Sequence, residues 1–200
     1  MSEHPLNTVK RHLAASRDVV AAALADAPFL DSIIAIAWAV EKSLRAGGKV
    51  MLAGNGGSAA DAQHIAGELV ARLNFDRAPV AGLALTTDTS VLTAIGNDYG
   101  YEEVFSRQVR GLGRAGDVFV AISTSGRSPN ILKAVEAAKA MNITTVAFTG
   151  NANAPLASLC DLALRAPSPA TPLIQQIHIT AAHAICEIVE TNLFGGARQS

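Results

Sequence analysis

Between positions 49 and 72 an apolar run, a glycine turn and an alanine-rich run follow one another without a break. Lys49-Val50-Met51-Leu52-Ala53 is short, apolar and bounded by glycine, the signature of a buried strand. Gly54-Asn55-Gly56-Gly57-Ser58 then supplies residues that tolerate positive φ and close backbone approach, and Ser58 is placed to cap a helix from Ala59. The first N–H groups of that helix would point unpaired at the mouth of the turn, where hydrogen bonding and the helix dipole both favour an anion. The turn is not a dinucleotide fingerprint, because its third glycine is out of place and no acidic residue closes a second strand about 20 residues on.

The same succession recurs. Asp117 to Ile122 is a strand that runs into Ser123-Thr124-Ser125-Gly126-Arg127-Ser128, with Pro129 opening a helix to 141. Four hydroxyls and a glycine beside a helix N-terminus form a phosphate cradle from side chains and backbone N–H groups, although one serine would be enough merely to cap the helix. Further strands are expected at Ala81 to Leu85, Thr144 to Thr149 and Asp161 to Arg165, with helices at 90 to 95 and 101 to 112 and a loop at Gly96-Asn97-Asp98-Tyr99-Gly100. Repeated strand-loop-helix units predict a three-layer α/β/α sandwich with a mainly parallel five-stranded sheet, and ligands in such sheets bind outside the carboxyl ends of the strands.

Two helices, about 5 to 25 and 28 to 45, precede the first strand. They are not needed to cover the sheet, so packing against another subunit stands beside a simple cap on the same domain. A proline-rich link, Pro167 to Pro172, leads to a last helix from about Leu173 to Leu193, and the tail from Gly195 to Ser200 reads as disordered.

Two residue groups carry chemistry. His64 and Glu68 lie four apart on one helix face, the spacing of two metal ligands, of an acid/base pair, or of a simple hydrogen-bonded pair. On the last helix Gln175 and His183 are about 80° apart and His178 and His183 about 140° at 100° per residue. Gln175 and His183 can therefore serve one site, and His178 reads as a core residue.

Composition narrows the function. Fifty per cent hydrophobic residues in 200 supply the core of one domain, and a net charge of −1 argues against nucleic acid as the partner. Cys160 and Cys186 lack paired spacing and read as buried thiols in a reducing compartment. The N-terminus has no secretory pattern and no apolar run reaches the ~20 residues of a membrane span, so a soluble cytoplasmic protein without membrane contact is expected.

The motifs GNGGS (54–58), DAQHIAGE (61–68), TAIGNDYG (93–100), STSGRS (123–128) and IQQIH with His183 beyond it resemble the phosphoheptose isomerases of the SIS-domain superfamily, over nearly the whole chain. The resemblance implies a flavodoxin-like SIS fold in a single domain over 1–200. Residues 1–46 would be oligomerising helices and 47–194 the α/β core of a homotetramer. It implies an aldose-ketose isomerase that converts sedoheptulose 7-phosphate to D-glycero-D-manno-heptose 7-phosphate for surface glycans. Ser123, Thr124, Ser125 and Ser128 would hold the phosphate, Asn55, Gly56 and Gly57 would meet the reacting end, and Asn97 and Asp98 would bind sugar hydroxyls. His64, Glu68, Gln175 and His183 would hold one Zn ion per subunit. Glu68 and His183 would be the acid/base pair, with Glu68 and Gln175 also touching substrate. Gln176 departs from the glutamate common at that place, next to the site residues and not among them. Two rival readings come from the same superfamily: a binding protein that contacts a replication initiator, and an isomerase of another sugar phosphate.

Overall fold

The computed structural model describes residues 4–195. Five strands form one parallel sheet: β1 (Val50–Gly54), β2 (Gly82–Ala84), β3 (Val118–Ile122), β4 (Thr144–Gly150) and β5 (Leu162–Ala166), in the order β2-β1-β3-β4-β5. The helices are α1 (Pro5–Ala25), α2 (Ala27–Arg45), α3 (Gly57–Val70), α4 (Thr89–Tyr99), α5 (Ser106–Leu112), α6 (Pro129–Ala140), α7 (Pro155–Leu159) and α8 (Thr171–Phe194).

Every residue of β1 and β3 is buried. Because side chains alternate along a strand, two cores result. Val50 and Leu52 of β1 join Val118, Val120, Phe148 and residues of α2, α3 and α8. Met51 and Ala53 join Phe119, Ala121 and residues of α5 and α6 on the opposite face. This is the expected three-layer sandwich. At the N-terminal end of β1, Asp117 accepts from the Lys49 backbone N–H at 3.0 Å and from its ammonium at 2.6 Å, which ties the start of β1 to that of β3.

Some local expectations fail for identifiable reasons. Gly56, at φ 56°, takes the N-cap position itself, so the helix starts at Gly57 and Ser58 lies buried in its first turn without capping it. The segment read as a loop at 96 to 100 is helical to Tyr99: Asp88 caps the start of α4, its carboxylate accepting from Val91 N–H, and the helix stops only where Gly100 takes φ 87°. The helix expected over 101 to 112 is shortened: Tyr101–Glu103 forms a 3-10 turn, and α5 begins only at Ser106. The short helix α7 has no counterpart in the sequence reading, five residues being too few for a periodic pattern. Of the tail read as disordered, 196–200 lies outside the described residues.

His178 is a core residue, as expected. It is fully buried and its Nε2 pairs with the Thr149 carbonyl at 3.1 Å. Burial pushes its pKa down from 6.5 to about 4 against the opposing pull of that carbonyl. Between those two pH values the unfolded chain binds more protons than the folded one, so stability is complete above 6.5 and is lost as pH falls toward 4. The loss is on the order of 3 kcal/mol. His178→Gln is expected to flatten the decline of the urea midpoint over this range, and an unchanged decline would assign the acid sensitivity to other groups.

Candidate active site

With strand order 2-1-3-4-5 the direction of sheet growth reverses between β1 and β3, and a crevice opens at their carboxyl ends. The turn 54–58 and the loop 123–128 both leave the sheet there. A reciprocal amide pair joins them: Asn55 Nδ2 donates to Asn130 Oδ1 at 3.0 Å, and Asn130 Nδ2 donates to Asn55 Oδ1 at 2.9 Å. Tyr101 adds its hydroxyl to Asn55 Oδ1 at 3.2 Å. Asn130 and Tyr101 are absent from the sequence reading, and only the pairing itself marks them.

In the hydroxyl-rich loop Ser123 is buried and its Oγ lies 3.0 Å from Ser128 Oγ. Ser128 occupies the N-cap of α6 without capping it, so its hydroxyl is not used up by the helix. Thr124 is half-buried and Ser125 exposed around Gly126, whose φ of 64° turns the chain. A Cβ at Gly126 would lie 2.9 Å from Thr149 Oγ1, a buried hydroxyl with no hydrogen-bond partner. The Arg127 guanidinium bonds to the carbonyls of Asn153 and Ser125 and braces the loop.

The second group forms where α3 and α8 run side by side in the same direction. Ile65 and Leu69 of α3 and Ala182, Ile185 and Cys186 of α8 line one buried space, Ala62 and Ala66 belong to the same core, and the small alanines leave room for the two helices to lie close together. His64, Glu68 and His183 flank this buried seam. His64 Nε2 lies 3.1 Å from Glu68 Oε1 and 3.2 Å from His183 Nε2, and the two rings meet edge to face at 5.0 Å. One donor atom from each residue lies within 4.8 Å of the others. Two imidazole nitrogens and a carboxylate oxygen converging like this form a donor set that one cation can serve. A tetrahedral Zn site with bonds of about 2.0–2.1 Å has donors about 3.3 Å apart, close to the 3.1 and 3.2 Å separations from His64 Nε2, so the donor types and these two spacings fit such an ion.

Gln175 sits two turns before His183, and a Cβ at Gly57 would collide with its amide. Gly57 thus leaves room for Gln175 at the N-terminal end of α3. Asn97 and Asp98 are exposed on α4, with Asn97 Nδ2 donating to Asp98 Oδ1 at 2.8 Å. The half-buried Asp61, one turn ahead of His64, has a buried oxygen without a partner, and burial raises its pKa while His64 opposes the rise. Cys160 and Cys186 are free, and burial pushes both thiols up to about 12. No single described helix is long and apolar enough to cross a membrane.

Residues 13–150 match the SIS domain family. The chain is 53% identical over 195 residues to a phosphoheptose isomerase of Burkholderia pseudomallei (strain 1710b), covering 98% of this chain and 99% of that protein. Its structure is similar to that of phosphoheptose isomerase from Neisseria gonorrhoeae, with a TM-score of 0.88 at 42% identity, covering 94% of this chain and all of that one. For a phosphoheptose isomerase from Francisella tularensis the values are 0.90 and 34% over the same shares. A family match over most of the chain, together with more than half of its residues shared with a full-length relative, shows that the chain belongs to the phosphoheptose isomerase family of SIS-domain proteins.

Proposed function

We propose that this chain isomerises sedoheptulose 7-phosphate to D-glycero-D-manno-heptose 7-phosphate through an enediol, for the heptoses of surface glycans. The observation that carries the reading is the approach of Glu68 and His183, 115 positions apart in sequence, to one cluster with His64. Moving a carbonyl from C2 to C1 needs one group to take a proton from C1 and return it to C2, and another to move a proton between the two oxygens. Glu68 and His183 are assigned these two jobs. Ser123, Thr124, Ser125 and Ser128 hold the phosphate, whose binding energy fixes the distant reacting end. Asn55, Gly56 and Gly57 line the approach, Asn97 and Asp98 contact sugar hydroxyls, and Gln175 contacts the substrate.

His64, Glu68 and His183, with Gln175 as fourth donor, are the residues that would hold a Zn ion. Such an ion would supply positive charge where the sugar oxygens become negative. We assign the chain to a homotetramer as the family resemblance implies, and the apolar face that α1 presents to solvent, Leu6, Val9, Leu13 and the 72% exposed Leu24, supports contact with another copy. Two unpaired cysteines fit a reducing compartment such as the cytoplasm.

The test is turnover of sedoheptulose 7-phosphate by the purified protein, followed by proton NMR, together with metal analysis. Aldose product with about one Zn per chain is expected, and chelation followed by dialysis should remove the metal and lower the rate, with Zn restoring it. Turnover of a hexulose phosphate alone would redirect the substrate assignment. Initiator binding without any isomerisation would replace the enzyme reading altogether.

A further inference from the structure

Past the end of α3 a charged pair is buried that the chemistry above does not use. The side chains of Arg77 and Glu190 are only 4% and 1% exposed. Arg77 Nε donates to Glu190 Oε1 at 3.0 Å, Nη2 donates to the carbonyl of Glu68 at 2.7 Å, and Nη1 donates to those of Leu69 and Ala78 at 2.8 and 3.0 Å. Glu190 in turn accepts from the N–H groups of Leu73 and Asn74 at 2.9 and 2.8 Å. One guanidinium therefore caps the last carbonyls of α3, including that of Glu68, and ties them to a carboxylate on α8.

The placement on α8 gives the pair its meaning. Glu190 lies seven residues beyond His183, which at 100° per residue puts the two within about 20° on one stripe of the helix. The contact of His183 with His64 depends on the axial register of α8 against α3, and a slide of one residue would shift it by about 1.5 Å. Apolar packing along the seam is weakly directional, and its alanines set little resistance to sliding. The guanidinium fork and the carboxylate have fixed directions, and no water-sized space remains between Glu68, Arg77, Cys186 and Glu190. A buried ion pair adds little net stability over apolar packing, so fixing a register is the better-attested use for one.

We infer that Arg77 and Glu190 are positioning residues: a dry clamp that sets the register of α8 on α3 and so holds His64, Glu68 and His183 at their working separation. This rests on the isomerase reading for its kinetic arm, while its metal arm stands apart from it.

The experiment compares the parent with Glu190→Gln, Glu190→Asp and Arg77→Lys, each well below its own melting temperature. Arg45→Ala is the control, because Arg45 also reaches α8, donating to the Asn192 carbonyl at 2.7 Å, but away from the cluster. The readouts are kcat and KM for sedoheptulose 7-phosphate and Zn2+ affinity by calorimetry. For folded clamp variants kcat and Zn2+ affinity are each expected to fall about 10- to 100-fold, as for residues that orient a metal site, with KM nearly unchanged and the control like the parent. A folded clamp variant that keeps parental kcat and Zn2+ affinity overturns the inference. So does failure of all three to fold, which would assign the pair to stability alone. If the parent itself does not turn over the sugar, the function reading fails, and the Zn2+ titration still decides the clamp.

Discussion

Glu68→Gln is expected to lower kcat for sedoheptulose 7-phosphate by about 1000-fold, within the range that a positioned acid/base group contributes, while substrate binding by calorimetry stays close to that of the parent. The amide keeps the size and the hydrogen-bonding reach of the carboxylate but cannot take a proton from carbon. Folding should be hardly affected. The His64–Glu68 pair is only partly buried, with the His64 side chain 48% exposed, and such a pair is worth less than about 1 kcal/mol. The substituted residue would also be a poorer metal donor, so the two causes of inactivity are separated by measuring bound Zn. Loss of rate with Zn retained assigns the proton transfer to the carboxylate. Near-parental kcat would remove Glu68 from the mechanism.

Gly54→Ala is expected to give the largest loss of stability. A Cβ there would come within 2.6 Å of the Ser58 carbonyl carbon and 2.7 Å of its Cβ, and it would meet the carbonyl oxygen as well. Neither side can give way easily. Gly54 is the last residue of β1 and in register with Ile122 of the neighbouring central strand, while Ser58 is buried in the first turn of α3. Overpacking against backbone of this kind costs about 3 kcal/mol. At about 2–4 °C per kcal/mol for a chain of this size, the melting temperature should drop by roughly 10 °C. Gly67→Ala is the contrast, since a Cβ there meets nothing within 4 Å and the residue is helical. It should raise stability by about 0.5–1 kcal/mol. Equal melting temperatures for the two variants would show that the β1–α3 junction has slack that its geometry does not reveal.

The parts of the site that are local in sequence were legible as such. His64 and Glu68 share a face because the helix period puts them there, and the same period separates Gln175 and His183 from the buried His178. The strand-to-loop junctions at 54 and 123 announce themselves by glycine and hydroxyl content, because a tight turn and a close backbone approach need glycine and a loop at a helix start favours hydroxyl side chains. Local chemistry failed where one residue could take another's role. Gly56 displaced Ser58 as the cap, and α4 ran on through a segment rich in turn formers to the positive-φ Gly100.

Periodicity and turn chemistry, which act over a few residues, determined from the sequence alone that this chain would build a parallel α/β sandwich with two polar turns on one edge. Which distant residues meet was decided by tertiary packing. Asn55 finds Asn130 because β1 and β3 are neighbours, His183 reaches His64 because alanines let α8 lie close along α3, and Arg77 reaches Glu190 because the chain after α3 folds back against α8. Spacing along the chain carries no information about such pairs, since each depends on how two elements are set against each other in space.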